Sequence, residues 1–171
     1  MTNQRLRRSL LRLVSAGLGL VAGMACTDVL AQTVRLDDSA SPRALVQPLV
    51  ALDETGRPLA QSPEPNQAVL QFGDVRFKLR TAPYVGKSGR IYMVFPPHLG
   101  EVHPGAVRLR WQDMQSRSGV LSPGEHALVW SGRIDAPWTD LMIRMSLEMN
   151  LSLWRSASSG VSPFFELELA P

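Results

Sequence analysis

Apolar side chains occupy every second position between Leu141 and Leu153, and all but one of the positions between them are polar. Because side chains on a β-strand point alternately to its two faces, this stretch is predicted to be a long strand with one apolar and one solvated face. Such a face needs a second apolar layer to cover it, and the flanking segments can supply that layer because they show similar alternation.

Shorter β-rich runs recur on both sides of this stretch, separated by segments that contain proline and glycine. The predicted strands cover residues 44–52, 69–79 with a bulge or tight turn at Gly73, 90–95, 107–112, 126–131, 141–153 and 165–169. The pattern predicts an all-β fold, a single antiparallel β-sandwich of immunoglobulin-like or pilin-like type with about seven strands. Trp111 and Trp130 share strand faces with leucines, so we expect both in the core.

The first 31 residues have the three-part layout of a secretory signal peptide. An arginine-rich start precedes a mostly apolar run from Leu13 to Cys26, and Val29 and Ala31 are small enough for a cleavage site before Gln32. The run is shorter than the roughly 20 residues that a membrane span needs. We therefore expect a bacterial protein of the periplasm, or one that is secreted or at the cell surface, with no membrane span after cleavage. An uncleaved anchor and lipidation of Cys26 are the alternatives.

Cysteine content and charge exclude several classes of function. Cys26 is the only cysteine, so the mature chain is expected to contain no disulfide and to depend on a packed core. Four arginines in the first 12 residues account for the formal charge of +3, and from Gln32 onward 14 basic residues balance 14 acidic ones. Nucleic-acid-binding domains normally carry a basic excess, so we expect no nucleic-acid partner.

The mature chain is predicted to divide into a flexible arm over residues 32–67 and a sandwich domain over residues 68–171. Turn and linker residues fill the arm except for one apolar island at residues 44–52. Pro48 limits this island to an edge strand, because proline cannot donate a hydrogen bond to a strand ladder.

The apolar island can dock on its own domain or complete a neighbouring subunit through strand addition. In the second case we expect Leu45, Val46, Leu49 and Val50 to make the contacts, and the terminal strand Phe164–Leu169 is a further candidate. In its plan of signal, loose arm and small sandwich, the chain resembles bacterial fimbrial subunits. It departs from many of them in lacking a disulfide in the mature chain.

Three aromatic side chains are expected at the surface, where they could form a platform for sugar rings. Tyr92 points away from the apolar face of its strand, Trp138 lies in a turn beside Pro137, and Trp154 continues the solvated face of the long strand. Tyr92, Trp138 and Trp154 are therefore the predicted ligand-binding residues.

Candidate metal ligands are few. His98, Glu101 and His103 lie within one loop and are the residue types that bind zinc or copper, but their spacing matches no closed site. Asp135 and Asp140 flank the turn before the long strand and could supply oxygen ligands to calcium, although no calcium-loop pattern surrounds them.

We found no nucleophile elbow, phosphate-binding glycine loop or two-histidine helix motif, so we expect no enzyme activity and no cofactor. The sequence instead predicts an exported, non-catalytic structural or protein-interaction module of the bacterial envelope. Its expected partners are other envelope proteins or further copies of itself, engaged through strand addition. A periplasmic glycan- or ligand-binding module and a copper- or zinc-binding protein are the alternatives.

Overall fold

The computed structural model describes residues 33–41, 50–97, 103–153 and 162–170, which form nine β-strands in two antiparallel sheets. The strands are β1 Thr33–Arg35, β2 Val50–Asp53, β3 Gln67–Arg80, β4 Ser88–Val94, β5 Val107–Asp113, β6 Ser118–Leu121, β7 His126–Arg133, β8 Trp138–Asn150 and β9 Phe164–Leu169. One sheet has the order β1-β9-β4-β7 and the other the order β2-β3-β8-β5-β6. The two sheets pack together, which confirms the predicted all-β sandwich. No helix among the described residues is long and apolar enough to cross a membrane.

The long alternating stretch forms β8 at the centre of the five-stranded sheet, where it pairs with β3 along its whole length. Four of its inward side chains are at most 7% exposed: Leu141, Ile143, Met145 and Leu147. On the opposite sheet Phe165 and Leu167 are fully buried. The ring centroids of Phe165 and Phe77 are 4.8 Å apart. Burying one such side chain stabilises the fold by about 1.5–3 kcal/mol, so this interface supplies much of the stability.

A bulge keeps the apolar side of β3 inward along its full length. Leu70 and Val75 are five positions apart and would face opposite sides of a regular strand. The pairing register with β8 shifts between Gln71 and Gly73, so one extra residue restores the inward direction. The bulge predicted at Gly73 is therefore confirmed.

The structure has nine strands where the sequence predicts about seven. The two additional strands are β1 and β6, with three and four residues, which are too short to show a period of their own. β8 begins at Trp138 and ends at Asn150, earlier at both ends than predicted, because Leu151–Leu153 form a turn.

Trp111 is 7% exposed in the core as predicted, and Trp130 is half-buried and packs against that core. The pairing register of β4 with β7 shifts between Ile91 and Tyr92. Trp130 pairs with the inward-facing Ile91, but Leu128 pairs with Tyr92, on the opposite face. The shared face predicted for Trp130 and Leu128 is therefore wrong.

The described parts of the predicted arm lie against the sandwich. Leu36 is 4% exposed in the core, the carbonyl of Asp37 accepts a hydrogen bond from the Arg80 N–H, and the hydroxyl of Ser41 accepts one from the Lys78 N–H. Residues 33–41 thus begin on the four-stranded sheet and end on the five-stranded one.

The turn after β2 and the turn after β5 share one design, with an aspartate at the first position and an arginine four residues later. Asp53 and Asp113 each accept hydrogen bonds from the backbone N–H groups of the second and fourth following residues, at 2.8–2.9 Å. The fourth residue of each turn has a positive φ, 82° at Gly56 and 64° at Ser116. Both turns lie at edges of the five-stranded sheet, so they hold its short outer elements in place.

These hydrogen bonds keep both aspartates ionised. The Thr55 hydroxyl, which donates to Asp53, holds the pKa of that buried carboxyl well below its usual range. Burial raises the pKa of Asp113, but the hydrogen bonds from Arg117 outweigh it and the net pKa is lowered. The Arg117 guanidinium also donates to the carbonyl of Val129 in β7, which links the two sheets at this edge.

Candidate interaction surface

The outer face of the five-stranded sheet carries six basic and three acidic side chains at the outward positions of its described strands. They are Arg76, Lys78, Arg80, Arg108, Arg110 and Arg144, with Asp74, Asp140 and Glu148. We call this surface the basic face. The charges balance over the chain from Gln32 onward, so the excess here is local.

Each carboxylate of the basic face pairs with an arginine on a neighbouring strand: Asp74 with Arg144, Asp140 with Arg76, and Glu148 with Arg110. The Arg144–Asp74 pair is bidentate, with N–O distances of 2.8 and 3.1 Å. The Arg144 guanidinium holds the pKa of Asp74 below its usual range. Exposed pairs of this kind contribute little to stability. Their main effect is to orient the arginines across the sheet.

Exposed apolar side chains accompany these charges. Of the seven large apolar side chains exposed in the described part of the chain, four lie on the basic face: Val50, Val120, Trp138 and Met142. They are 37–43% exposed. The ammonium of Lys78 lies 5.1 Å from the ring centroid of Trp138, within the range of a cation–π contact. The face therefore combines positive charge with apolar contact area.

A groove of about 750 Å³ crosses the basic face over β3, β8, β5 and β6. Its polar lining side chains are Gln71, Arg110, Gln112, Ser118, Arg144 and Ser146. They form two rows, because the strand register aligns Arg144 with Gln112 and Ser118, and Gln71 with Ser146 and Arg110. Between the rows, Met145 and Trp111 turn their side chains into the core, so strand backbone forms the floor.

The groove has the size and chemistry of a ligand site. Its volume lies within the range of roughly 300–1,000 Å³ that is typical of ligand pockets. Among the described residues that line it, two are arginines and none is a carboxylate. The site can therefore donate several charge-assisted hydrogen bonds to a polar or anionic ligand.

The structure does not bring the predicted aromatic residues together. Trp138 lies on the basic face, whereas Tyr92 lies on the outer face of the other sheet. Tyr92 is half-buried, and its ring contacts His126 edge-on with the centroids 5.2 Å apart. Trp154 lies outside the described residues.

The residues predicted for strand addition are only partly described. Leu45, Val46 and Leu49 lie outside the described residues, and Val50 begins β2, an edge strand that pairs with β3 of its own domain. The free side of β2 is bridged at Leu52 by Pro58, which limits the space for an incoming strand. The terminal strand β9 already has a partner on each side, β1 and β4.

The candidate metal ligands that the structure describes each contact another residue of the chain. His103 accepts a hydrogen bond from the Gly105 N–H at 3.1 Å, while His98 and Glu101 lie outside the described residues. Asp135 pairs with Arg133 at 3.6 Å and Asp140 with Arg76 at 3.3 Å. Within the described ranges no three metal-ligating side chains of the histidine, cysteine or acidic type form a cluster. Metal binding through the loop of His98, Glu101 and His103 stays an alternative to the predicted absence of a metal site.

Sequence reasoning did not select the groove residues, although part of the signal was present. Arg108 and Arg110 alternate with buried side chains in β5, and Arg144 does the same in β8. The sequence alone does not give the strand order, which places these arginines on neighbouring strands. Comparison with known protein families, curated proteins and solved structures found no match. The candidate surface therefore rests on the sequence and geometry of this chain.

Proposed function

We propose that the protein is an exported, non-catalytic interaction module of the bacterial cell envelope that binds its partner across the basic face. One observation carries the proposal: six basic side chains, three acidic ones and four exposed apolar ones share one face, which therefore has an excess of positive charge in a chain whose charges balance from Gln32 onward. The four apolar side chains lie at separate points of this face and add apolar contact area between its charges. The excess positive charge favours an anionic partner and accelerates its association.

The ion pairs make this face suited to binding. Long arginine side chains lose conformational entropy when a partner orders them, which weakens binding. On the basic face, cross-strand carboxylates already hold Arg76, Arg110 and Arg144 in place before a partner arrives. Part of the ordering cost is therefore met during folding.

Sedimentation with envelope fragments of the host tests this proposal. In the double variant Lys78→Glu/Arg108→Glu, both changes lie on the basic face and neither removes an arginine from its cross-strand pairs with Asp74, Asp140 and Glu148. We expect the bound fraction of this double variant to be several-fold lower than that of the unaltered protein. We also expect the bound fraction of the unaltered protein to fall as the salt concentration rises, because salt screens the charges of the face.

The matched control is Lys87→Glu/Arg90→Glu, which makes the same charge change beside the other sheet, where both residues are exposed. We expect this control to sediment like the unaltered protein. Equal bound fractions for the two double variants, at equal melting temperatures, would contradict binding through the basic face.

The export part of the proposal is supported by the signal-like first 31 residues. Mass spectrometry of the protein from a periplasmic extract tests it. We expect a chain that begins at Gln32; a mass showing acyl chains on Cys26 would instead indicate a lipoprotein. Recovery of the intact precursor from the cytosol as the main form would contradict export.

Strand addition through residues 44–52 is a second candidate, favoured by the edge position of β2 and by Val50, which is 43% exposed. Because Leu36 and Ser41 are buried in the sandwich, only residues 43–49 are suited to replacement. We propose exchanging them for a glycine-serine linker of equal length. Loss of self-association on a sizing column would support strand addition, and an unchanged elution volume would contradict it.

A further inference from the structure

We propose that the groove of the basic face binds an acidic polysaccharide, a chain of sugar rings that carries carboxylates. This inference rests on the proposed function and names the chemistry of the partner. It places the ligand across β3, β8, β5 and β6, at the six polar side chains that line the groove.

The unused donors of two oriented arginines support an acidic ligand. Arg110 and Arg144 lie in opposite rows of the groove, and each is paired with a carboxylate, Glu148 or Asp74, that lies outside the described lining. An arginine has five N–H donors, and the pair with Asp74 engages two of those of Arg144. The remaining donors can bind a carboxylate of the ligand from a guanidinium that is already oriented.

The neutral lining residues support a ligand rich in hydroxyl groups. Gln71 and Gln112 each offer an amide that both donates and accepts, and Ser118 and Ser146 offer hydroxyls that do the same. Sugar hydroxyls also donate and accept, so each can be satisfied by such neighbours. The alternation of these groups with arginines along two rows fits a chain that presents both hydroxyls and carboxylates.

The position of the groove argues against an acidic peptide. An extended peptide usually binds at the edge of a sheet, where free backbone groups continue the ladder. Here β8 lies between β3 and β5, and β5 lies between β8 and β6, so backbone pairing already occupies both sides of the central strands. Recognition must come from side chains, which suits a ligand that itself offers hydroxyls and charges.

Isothermal titration calorimetry with uronate oligomers tests the inference. The probes are tetrasaccharides of galacturonate, mannuronate and hyaluronan, with maltotetraose as the neutral comparison and hexaglutamate as the peptide comparison. We expect at least one uronate oligomer to bind about tenfold or more tightly than both comparisons, because charge-assisted hydrogen bonds are stronger than neutral ones.

Two groups of variants locate the binding. Arg110→Gln and Arg144→Gln each remove a charged donor, and we expect each to weaken uronate binding about tenfold. Gln71→Ala and Gln112→Ala leave the charge unchanged, and we expect each to weaken binding about threefold, an effect that general electrostatic attraction does not produce. Arg90→Gln on the other sheet is the matched control, and melting temperatures verify that every variant is folded.

Absence of binding by all three uronate oligomers, or binding unaffected by the Arg110 and Arg144 variants, overturns the inference. Equal binding of hexaglutamate or maltotetraose at the same residues also overturns it, because the partner is then not an acidic polysaccharide. If sedimentation with envelope fragments still depends on Lys78 and Arg108, the proposed function stands without this ligand. If that dependence is lost too, both proposals fail.

Discussion

Replacing Gly89 with alanine tests the close packing of the four-stranded sheet. Gly89 lies in β4 between β9 and β7, and a Cβ added there would lie 2.8 Å from the carbonyl oxygen of Glu168 and 2.9 Å from a methyl of Leu167. Ordinary contacts begin at 3.4 Å, so one neighbour must move. The carbonyl belongs to the backbone of a paired strand and Leu167 is fully buried, so neither moves freely.

Overpacking of this kind costs about 1–3 kcal/mol. In a domain of this size 1 kcal/mol corresponds to roughly 4 °C in melting temperature, so we expect Gly89→Ala to melt about 4–12 °C lower. Differential scanning calorimetry and urea unfolding measure the effect. The matched control is Gly105→Ala, whose Cβ would meet only the His103 ring, at 3.4 Å or more. If the two variants have the same melting temperature, the pairing of β4 with β9 described above is refuted.

Three further predictions concern stability, each measured by urea unfolding. Phe165→Ala removes a fully buried ring and lowers the free energy of unfolding by about 3–5 kcal/mol. The control Val85→Ala, at a side chain that is 48% exposed, changes this free energy by less than about 0.5 kcal/mol. Equal losses for the two variants contradict the assigned core. The lowered pKa of Asp53 means that its charge stabilises the fold above about pH 4 and that this contribution is lost as the pH falls further. The stability difference between the unaltered protein and Asp53→Asn is therefore larger at pH 7 than at pH 3, and a pH-independent difference contradicts this. The turns that begin at Asp53 and Asp113 both need a positive φ at their fourth residue. Gly56→Ser therefore lowers the free energy of unfolding by about 1 kcal/mol, whereas Ser116→Gly does not lower it. A loss for Ser116→Gly and none for Gly56→Ser contradicts this turn geometry.

Alternation in the sequence predicts the long strands because it reports directly on which side chains face the core. β8 and β3 keep their apolar side inward over more than a dozen residues, and the break in the pattern at Gly73 indicated the bulge in β3. β1 and β6 escaped prediction because three or four residues show no period, and only tertiary pairing makes them strands. Leu128 was misplaced because a register shift reversed the faces within β7, and nothing in the local pattern marks that shift.

The candidate surface depends on strand order, which a single sequence does not show. The outward positions of Arg108, Arg110 and Arg144 follow from alternation alone. The meeting of Arg110 and Arg144 in one groove requires β5 to pair with β8, across more than thirty residues of chain. The same reason explains the aromatic residues: Tyr92 and Trp138 are both outward on their strands, yet they belong to opposite sheets.

Site-specific photocrosslinking in growing cells tests most directly the claim that the basic face meets an envelope partner. A photoreactive amino acid is placed at Met142, which is 40% exposed at the centre of the basic face, and separately at Arg90 on the outer face of the other sheet. We predict a crosslinked adduct in the envelope fraction from position 142 and none from position 90. An adduct from position 90 alone would contradict the account, and so would the absence of any adduct from position 142.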